Sequence, residues 1–133
     1  MLREIALWWR CFQISAECRY TTRLLQRLEC FHETVAAYFE TRPTPAFIEH
    51  LGRDFLDRLS AHEDPLVRAV AQTERHIGQL RFGEIPFVEV IWDRNPDSVF
   101  AALDKHDPLP RKDPEFSYQL QIGNGIDCVA VAH

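Results

Sequence analysis

"SYQLQIGNGIDCVAVAH", Ser117 to His133, decides how the chain ends and what class of fold it has. Two runs with alternating β-branched and aromatic residues flank Asn124–Gly125, a pair that tolerates positive φ at both positions. The stretch reads as a β-hairpin. A two-residue turn at Asn124–Gly125 sets Leu120 opposite Val129 and Tyr118 opposite Val131. Tyr118, Leu120, Ile122, Val129 and Val131 then share a face fit for a core. Ser117, Gln119, Gln121, Cys128, Ala130 and Ala132 share a small, polar face. A four-residue loop keeps this register and a three-residue loop breaks it. With faces so different, the sheet is expected to be covered on one side only.

Upstream of the hairpin, "DPLPRKDPE" is a proline-rich loop. "NPDSVFAALDKH", from Asn95, opens with a cap residue and a proline and predicts a short helix. "PFVEVIW", Pro86 to Trp92, is rich in β-branched and aromatic residues and predicts a strand. Everything before Gly83 has helical spacing. Asp64–Pro65 opens a helix through Leu66, Val70, Ile77 and Leu80, which Gly83 closes. Thr44–Pro45 opens another, through Phe47, Leu51, Phe55 and Leu59. In the first forty residues, Ile5, Trp8, Trp9 and Phe12 mark one apolar helix face. Leu24, Leu25, Leu28, Phe31, Val35 and Phe39 mark a second, ended by the prolines of "TRPTP". The weaker stretch "SAECRYTT" between them predicts two helices rather than one. The expected fold is α+β: a single domain over 1–133, mainly helical over 1–83, with a strand, helix and hairpin over 84–133.

Apolar residues make up 46% of the 133, enough for a core, and the formal net charge is −5. Nonspecific nucleic-acid binding needs a basic surface, so that class is not expected. Helices followed by a hairpin do fit the shape of a winged-helix DNA-binding module, but the acidic balance argues against it. No apolar run reaches the roughly 18 residues of a membrane span. The N-terminal "MLREIALWWRCFQ" carries Arg3, Glu4 and Arg10 and lacks a small-residue cleavage site, so no signal peptide is expected. The expected compartment is the cytoplasm, where Cys11, Cys18, Cys30 and Cys128 would be reduced thiols.

The residues offer few candidates for chemistry. Glu29, His32 and Glu33 form Glu-x-x-His-Glu, a spacing that puts Glu29 and His32 on one face of an unbroken helix, as in di-iron bundles. Such sites need two of these motifs, and only one is present. A small metalloenzyme using these three residues is the alternative to a binding protein. The cysteines include no Cys-x-x-Cys pair, so zinc is not indicated, and none is expected to be a nucleophile. The glycines of Gly123-Asn-Gly125 form a turn and not a phosphate loop. Arg19, Arg23 and Arg27 stripe one helix face, either solvated or set against an acidic surface on a partner or peptide. Charge reversal at Arg23 and Arg27 is expected to spare folding. Trp8 and Trp9 are adjacent, so one is expected in the core and the other either covered by a later segment or available to a partner. A sheet of three strands has two edges. The last strand has neither proline nor lysine to block its own, so that edge either suits addition of a strand from another chain or is covered by the chain's own N-terminal segment or a helix.

Three stretches carry a family resemblance: "FIEHLGRDFLDRLSAHEDPLVRAVAQTERHIGQLR", "VIWDRNPDSVFAALDKHDPLP" and "EFSYQLQIGNGIDCVAV". In their order of elements, from about Pro45 to the end, they resemble the small partner subunits of multinuclear non-haem iron-dependent oxidative enzymes. Those pairs modify cysteines in ribosomally made peptides, as in methanobactin and 3-thiaglutamate biosynthesis. The short length is closer to the 3-thiaglutamate type. The resemblance implies a winged-helix-like peptide-recognition element with no catalytic residue and no cofactor of its own. Iron would sit in the larger barrel enzyme, its heterodimer partner. The small subunit would hold a precursor peptide by strand addition and present its cysteine, in the 3-thiaglutamate case for excision of the β-carbon. It implies peptide contact at Gln119, Gln121, Cys128, Val129, Ala130 and Val131. Trp8, Trp9, Arg19, Arg23 and Arg27 are the residues expected to face the enzyme.

Overall fold

The computed structural model describes residues 2–41, 51–81, 83, 87–123 and 125–132, with side chains of the first helix from Leu7 onward. The described elements are α1 (Leu2–Glu17), α2 (Arg19–Arg27), α3 (Phe31–Thr41), α4 (Leu51–Leu59), α5 (Pro65–Arg81), β1 (Val88–Trp92), α6 (Pro96–Lys105), β2 (Phe116–Ile122) and β3 (Ile126–Ala132). The fold is α+β, with helices first and an antiparallel sheet ending in a hairpin. The expected helix start at Thr44–Pro45, Pro86 at the head of the expected strand, and Asn124 in the turn lie outside the described residues.

The first forty residues form three helices where the spacing predicts two. Cys18 breaks the first run at φ −119°, ψ 65°, and its own side chain does not cap α2. The cap comes from α5: the Glu74 carboxylate accepts the Tyr20 and Thr21 N–H groups at 2.9 and 3.0 Å. Those are two of the four N–H groups a helix start leaves unpaired, and a negative charge there also suits the helix dipole. The second break is at Glu29, φ 57°. The Glu29 N–H donates to the Gln26 carbonyl and the Cys30 N–H to the Leu25 carbonyl, both at 3.0 Å. This pairing is a Schellman ending, usually built on glycine. A glutamate in the left-handed position gives no sequence signal, which is why Leu24 to Phe39 reads as one helix.

The inward face of α1 also differs from the expected one. Cys11, Ile14 and Cys18 are buried, with Leu7 packed against them. Trp8, Trp9 and Phe12 are 58%, 57% and 53% exposed, so neither tryptophan is in the core. The corner between α1 and α2 meets α4 at Gly52. Its N–H donates to Glu17 Oε2 at 2.7 Å, and the Cys18 thiol lies 3.5 Å from its carbonyl oxygen. A Cβ on Gly52 would fall 2.5 Å from the Glu17 carboxylate and 2.7 Å from its Cβ, so the crossing requires glycine.

α5 starts and stops, and α6 starts, where their sequence signals lie. Asp64 caps α5 by accepting the Leu66 N–H at 2.9 Å. Gly83, φ 79°, closes the same helix with its N–H on Leu80. Asn95 caps α6, accepting from Asp97 and Ser98, and His106 ends it in the left-handed conformation.

The strands run in the order β1-β2-β3, with Val90 paired to Leu120 and Leu120 to Cys128. Val90, Trp92, Leu120 and Ile122 are buried on the helix side, against α5 and α6. Burial of each stabilises the sheet by about 1.5–3 kcal/mol. That covering ends at β2, because every residue of β3 is exposed.

Candidate functional site

The hairpin register sets the chemistry of the open edge. Ile122 pairs with Ile126, so the connection is the three residues 123–125 and not a two-residue turn. Tyr118 therefore stands opposite Ala130 and Leu120 opposite Cys128, one residue away from the expected pairing. Side chains opposite one another in an antiparallel pair share a face. Cys128 and Ala130 thus join Tyr118, Leu120 and Ile122 on the helix side, while Val129 and Val131 join Gln119 and Gln121 on the outer side. The expected grouping of Val129 and Val131 with the core residues is overturned. The six residues expected to contact peptide do lie together on β2 and β3, but they divide between two faces.

The backbone groups divide too. The Gly123 N–H donates to the Gly125 carbonyl at 3.0 Å, which makes those two a hydrogen-bonded pair. Antiparallel pairs alternate, so Gln121–Asp127, Gln119–Val129 and Ser117–Val131 are hydrogen-bonded as well. The N–H and C=O of Ile126, Cys128, Ala130 and Ala132 consequently point away from β2. Among the described residues no strand lies beyond β3 to receive them. The edge is mostly apolar: Ile126 is 51% exposed, Val129 43% and Val131 40%, and Asp127 carries its one charge.

The outer face continues across the sheet. Ile91 on β1 aligns with Gln119 and Val129 in one cross-strand row, and it is as exposed as Trp8. Beside Ile91 a cleft of about 450 Å³ lies between the start of α5 and the sheet, lined by Arg68, Gln72, Glu89, Lys112 and Ser117 among others. Ile91 was not singled out by the sequence reading. The alternation of Val88, Val90 and Trp92 toward the core was the signal that could have found it.

The arginine stripe has an internal partner. Arg19 and Arg23 reach Asp104 of α6 at 3.2 and 2.9 Å. Arg27 donates to the carbonyls of Asp107 and Ala102 at 2.6 and 2.9 Å, capping the C-terminal end of α6. The Tyr20 hydroxyl also donates to Asp104, at 3.1 Å. The stripe meets an acidic surface and a helix end within this chain, so each of these arginines has an intramolecular partner.

Glu29, His32 and Glu33 do not share a helix. Glu29 occupies the left-handed link between α2 and α3, and His32 lies in the first turn of α3, its Nδ1 3.4 Å from the Cys11 sulfur. Among the described residues, no three His, Cys, Asp or Glu side chains are grouped so as to hold a metal ion. Three of the cysteine thiols are pushed toward the protonated form. Burial raises Cys11, and burial with the nearby Glu74 and Glu17 carboxylates pushes Cys18 far up. Burial and the Asp97 carboxylate raise Cys128.

Trp8, Trp9 and Phe12 form one exposed aromatic cluster on α1. Trp8 stacks on Phe12 with centroids 5.7 Å apart, and Trp9 meets both edge-on at 5.3 and 5.9 Å. Together they make a contiguous apolar patch of the kind found at interfaces. No helix among the described residues is long and apolar enough to cross a membrane. No family model, curated protein or solved structure matches this chain.

Proposed function

We propose that this chain is a non-catalytic partner subunit in the cytoplasm. It captures a ribosomally made precursor peptide along the free edge of β3 and presents the peptide's cysteine to an iron-dependent oxidative barrel enzyme. The observation that carries the reading is the edge itself. It is a seven-residue strand, exposed throughout and mostly apolar, with no proline or lysine. Strand addition takes its affinity from backbone groups and its selectivity from alternate side chains, and this edge offers both. The exposed Trp8–Trp9–Phe12 cluster is the surface assigned to the enzyme. The resemblance of the chain to partner subunits of the 3-thiaglutamate type supplies the reaction served, excision of the β-carbon of a C-terminal cysteine. Iron and oxygen chemistry belong to the enzyme.

A proline scan of β3 tests the reading. Ala130 turns its N–H outward, so Ala130→Pro should leave circular dichroism and thermal unfolding near the parent's and lower affinity for a labelled precursor peptide at least tenfold. Val129 turns its N–H toward Gln119, so Val129→Pro should damage the hairpin as well. A folded Ala130→Pro protein that binds peptide like the parent would move the docking site elsewhere.

A further inference from the structure

We propose that, when no peptide occupies it, the free edge of β3 pairs with the same edge of a second copy of this chain. The two strands run antiparallel about a two-fold axis through Val129, and the two sheets become one of six strands. The pairing needs only the open edge, so it stands or falls independently of the peptide reading. An exposed edge strand is ordinarily blunted by proline, lysine, a bulge or a covering segment. β3 pairs with β2 without a bulge and carries neither residue type.

The strand is complementary to itself. An axis at Val129 is the only one that pairs the element over its full length, Ile126 with Ala132 and Cys128 with Ala130. Those are the four residues whose N–H and C=O groups point outward, so the outward groups of one copy meet those of the other. The single charge of the strand, Asp127, falls opposite Val131 of the other copy and not opposite its own mate. The two carboxylates then stand four positions apart, roughly 14 Å at strand rise, which is beyond the Debye length at physiological salt. The exposed valines, Val129 and Val131, gather on the outer face around the axis. On the helix side, Ala130 and Cys128 are small enough to let the backbones approach.

The axis makes a geometric prediction. Val129 faces its own mate in a pair that is not hydrogen-bonded, where Cα atoms are about 4.5 Å apart, within disulfide range. Val131 faces Asp127 and lies roughly 14 Å from its mate. The test uses the whole chain without peptide. Sedimentation across micromolar to near-millimolar concentration should show mass rising from one copy of 15.5 kDa to two. Ala130→Pro should hold the mass at one copy. In a Cys128→Ser background, Val129→Cys should form an interchain disulfide under mild oxidant, located by mass spectrometry, and Val131→Cys should not. Three results would overturn the proposal: a one-copy mass throughout; a two-copy mass that persists in Ala130→Pro and is lost in Trp9→Ala, which would put the contact on α1; or linking at position 131 as ready as at 129. Should Ala130→Pro fail to fold, the comparison of positions 129 and 131 decides alone.

Discussion

The α2–α6 contact and the β3 edge look alike as strings of residues and opposite as structures. Each is a short regular stripe suited to meeting something. The arginines at 19, 23 and 27 find Asp104 and the last carbonyls of α6 within their own chain. The strand at 126–132 finds β2 on one side and, among the described residues, nothing on the other. A charged stripe is satisfied by any nearby helix end or carboxylate. A strand edge is satisfied only by another strand in register, and the described residues hold no further one. Side-chain type therefore says little about whether a stripe is free, while the geometry of the group that must be satisfied says much.

The largest effect should come from the closed region. Glu74→Ala leaves the Tyr20 and Thr21 N–H groups without their carboxylate and should cost about 2–3 kcal/mol, read as a lower urea midpoint at unchanged m-value. Next comes the stripe. Reversing Arg23 and Arg27 to glutamate sets like charge against Asp104 and uncaps α6. The half-exposed Arg23 pair contributes at most about 1 kcal/mol. The two Arg27 bonds to carbonyls raise the total to about 2 kcal/mol. The charge pattern alone predicts that this double change spares folding, so urea unfolding separates the two readings directly.

A smaller effect depends on pH. The Asp93 carboxyl is held below its ordinary value chiefly by hydrogen bonds from Arg94, at 2.7 and 3.0 Å. A lowered carboxylate pKa adds stability that is complete above the usual carboxylate range near pH 4 and fades as pH falls through the folded value. Asp93→Asn should therefore flatten the acid limb of melting temperature against pH below about 4, and leave the slope at neutral pH unchanged. The smallest effect belongs to the open region. Val129→Thr changes an exposed residue on the outer face of the hairpin and should shift stability by no more than about 0.5 kcal/mol. A loss several times larger would mean that something already covers the edge.

What could be read from sequence was what neighbours in sequence determine. Asp64–Pro65, Asn95–Pro96 and Gly83 mark helix ends through their own backbone preferences, and β1 shows itself by composition. The break at Glu29 carries no such mark, because the left-handed residue there is not glycine. The break at Cys18 depends on a carboxylate from α5 that only the fold brings near. The inward face of α1 misled for a different reason. Trp8, Trp9 and Phe12 outweigh Leu7, Cys11 and Ile14 in apolar bulk, yet the smaller residues are the ones that face the core. The hairpin itself was legible, and so was the set of residues along its last strand, but not which edge of the sheet it leaves open. Their division between faces was not, because it hangs on the length of one connection.

That connection works as a parity switch. Three residues join Ile122 to Ile126, and the count fixes which side of the hairpin each β3 side chain occupies. Closing the hairpin on Asn124–Gly125 alone, the turn expected from sequence, would slide the strand by one. It would turn Val129 and Val131 under the helices and lift Cys128 and Ala130 to the outer face, with no side chain on the strand altered. The lining of the open edge is thus set by how the two strands are joined and not by the strand's own residues.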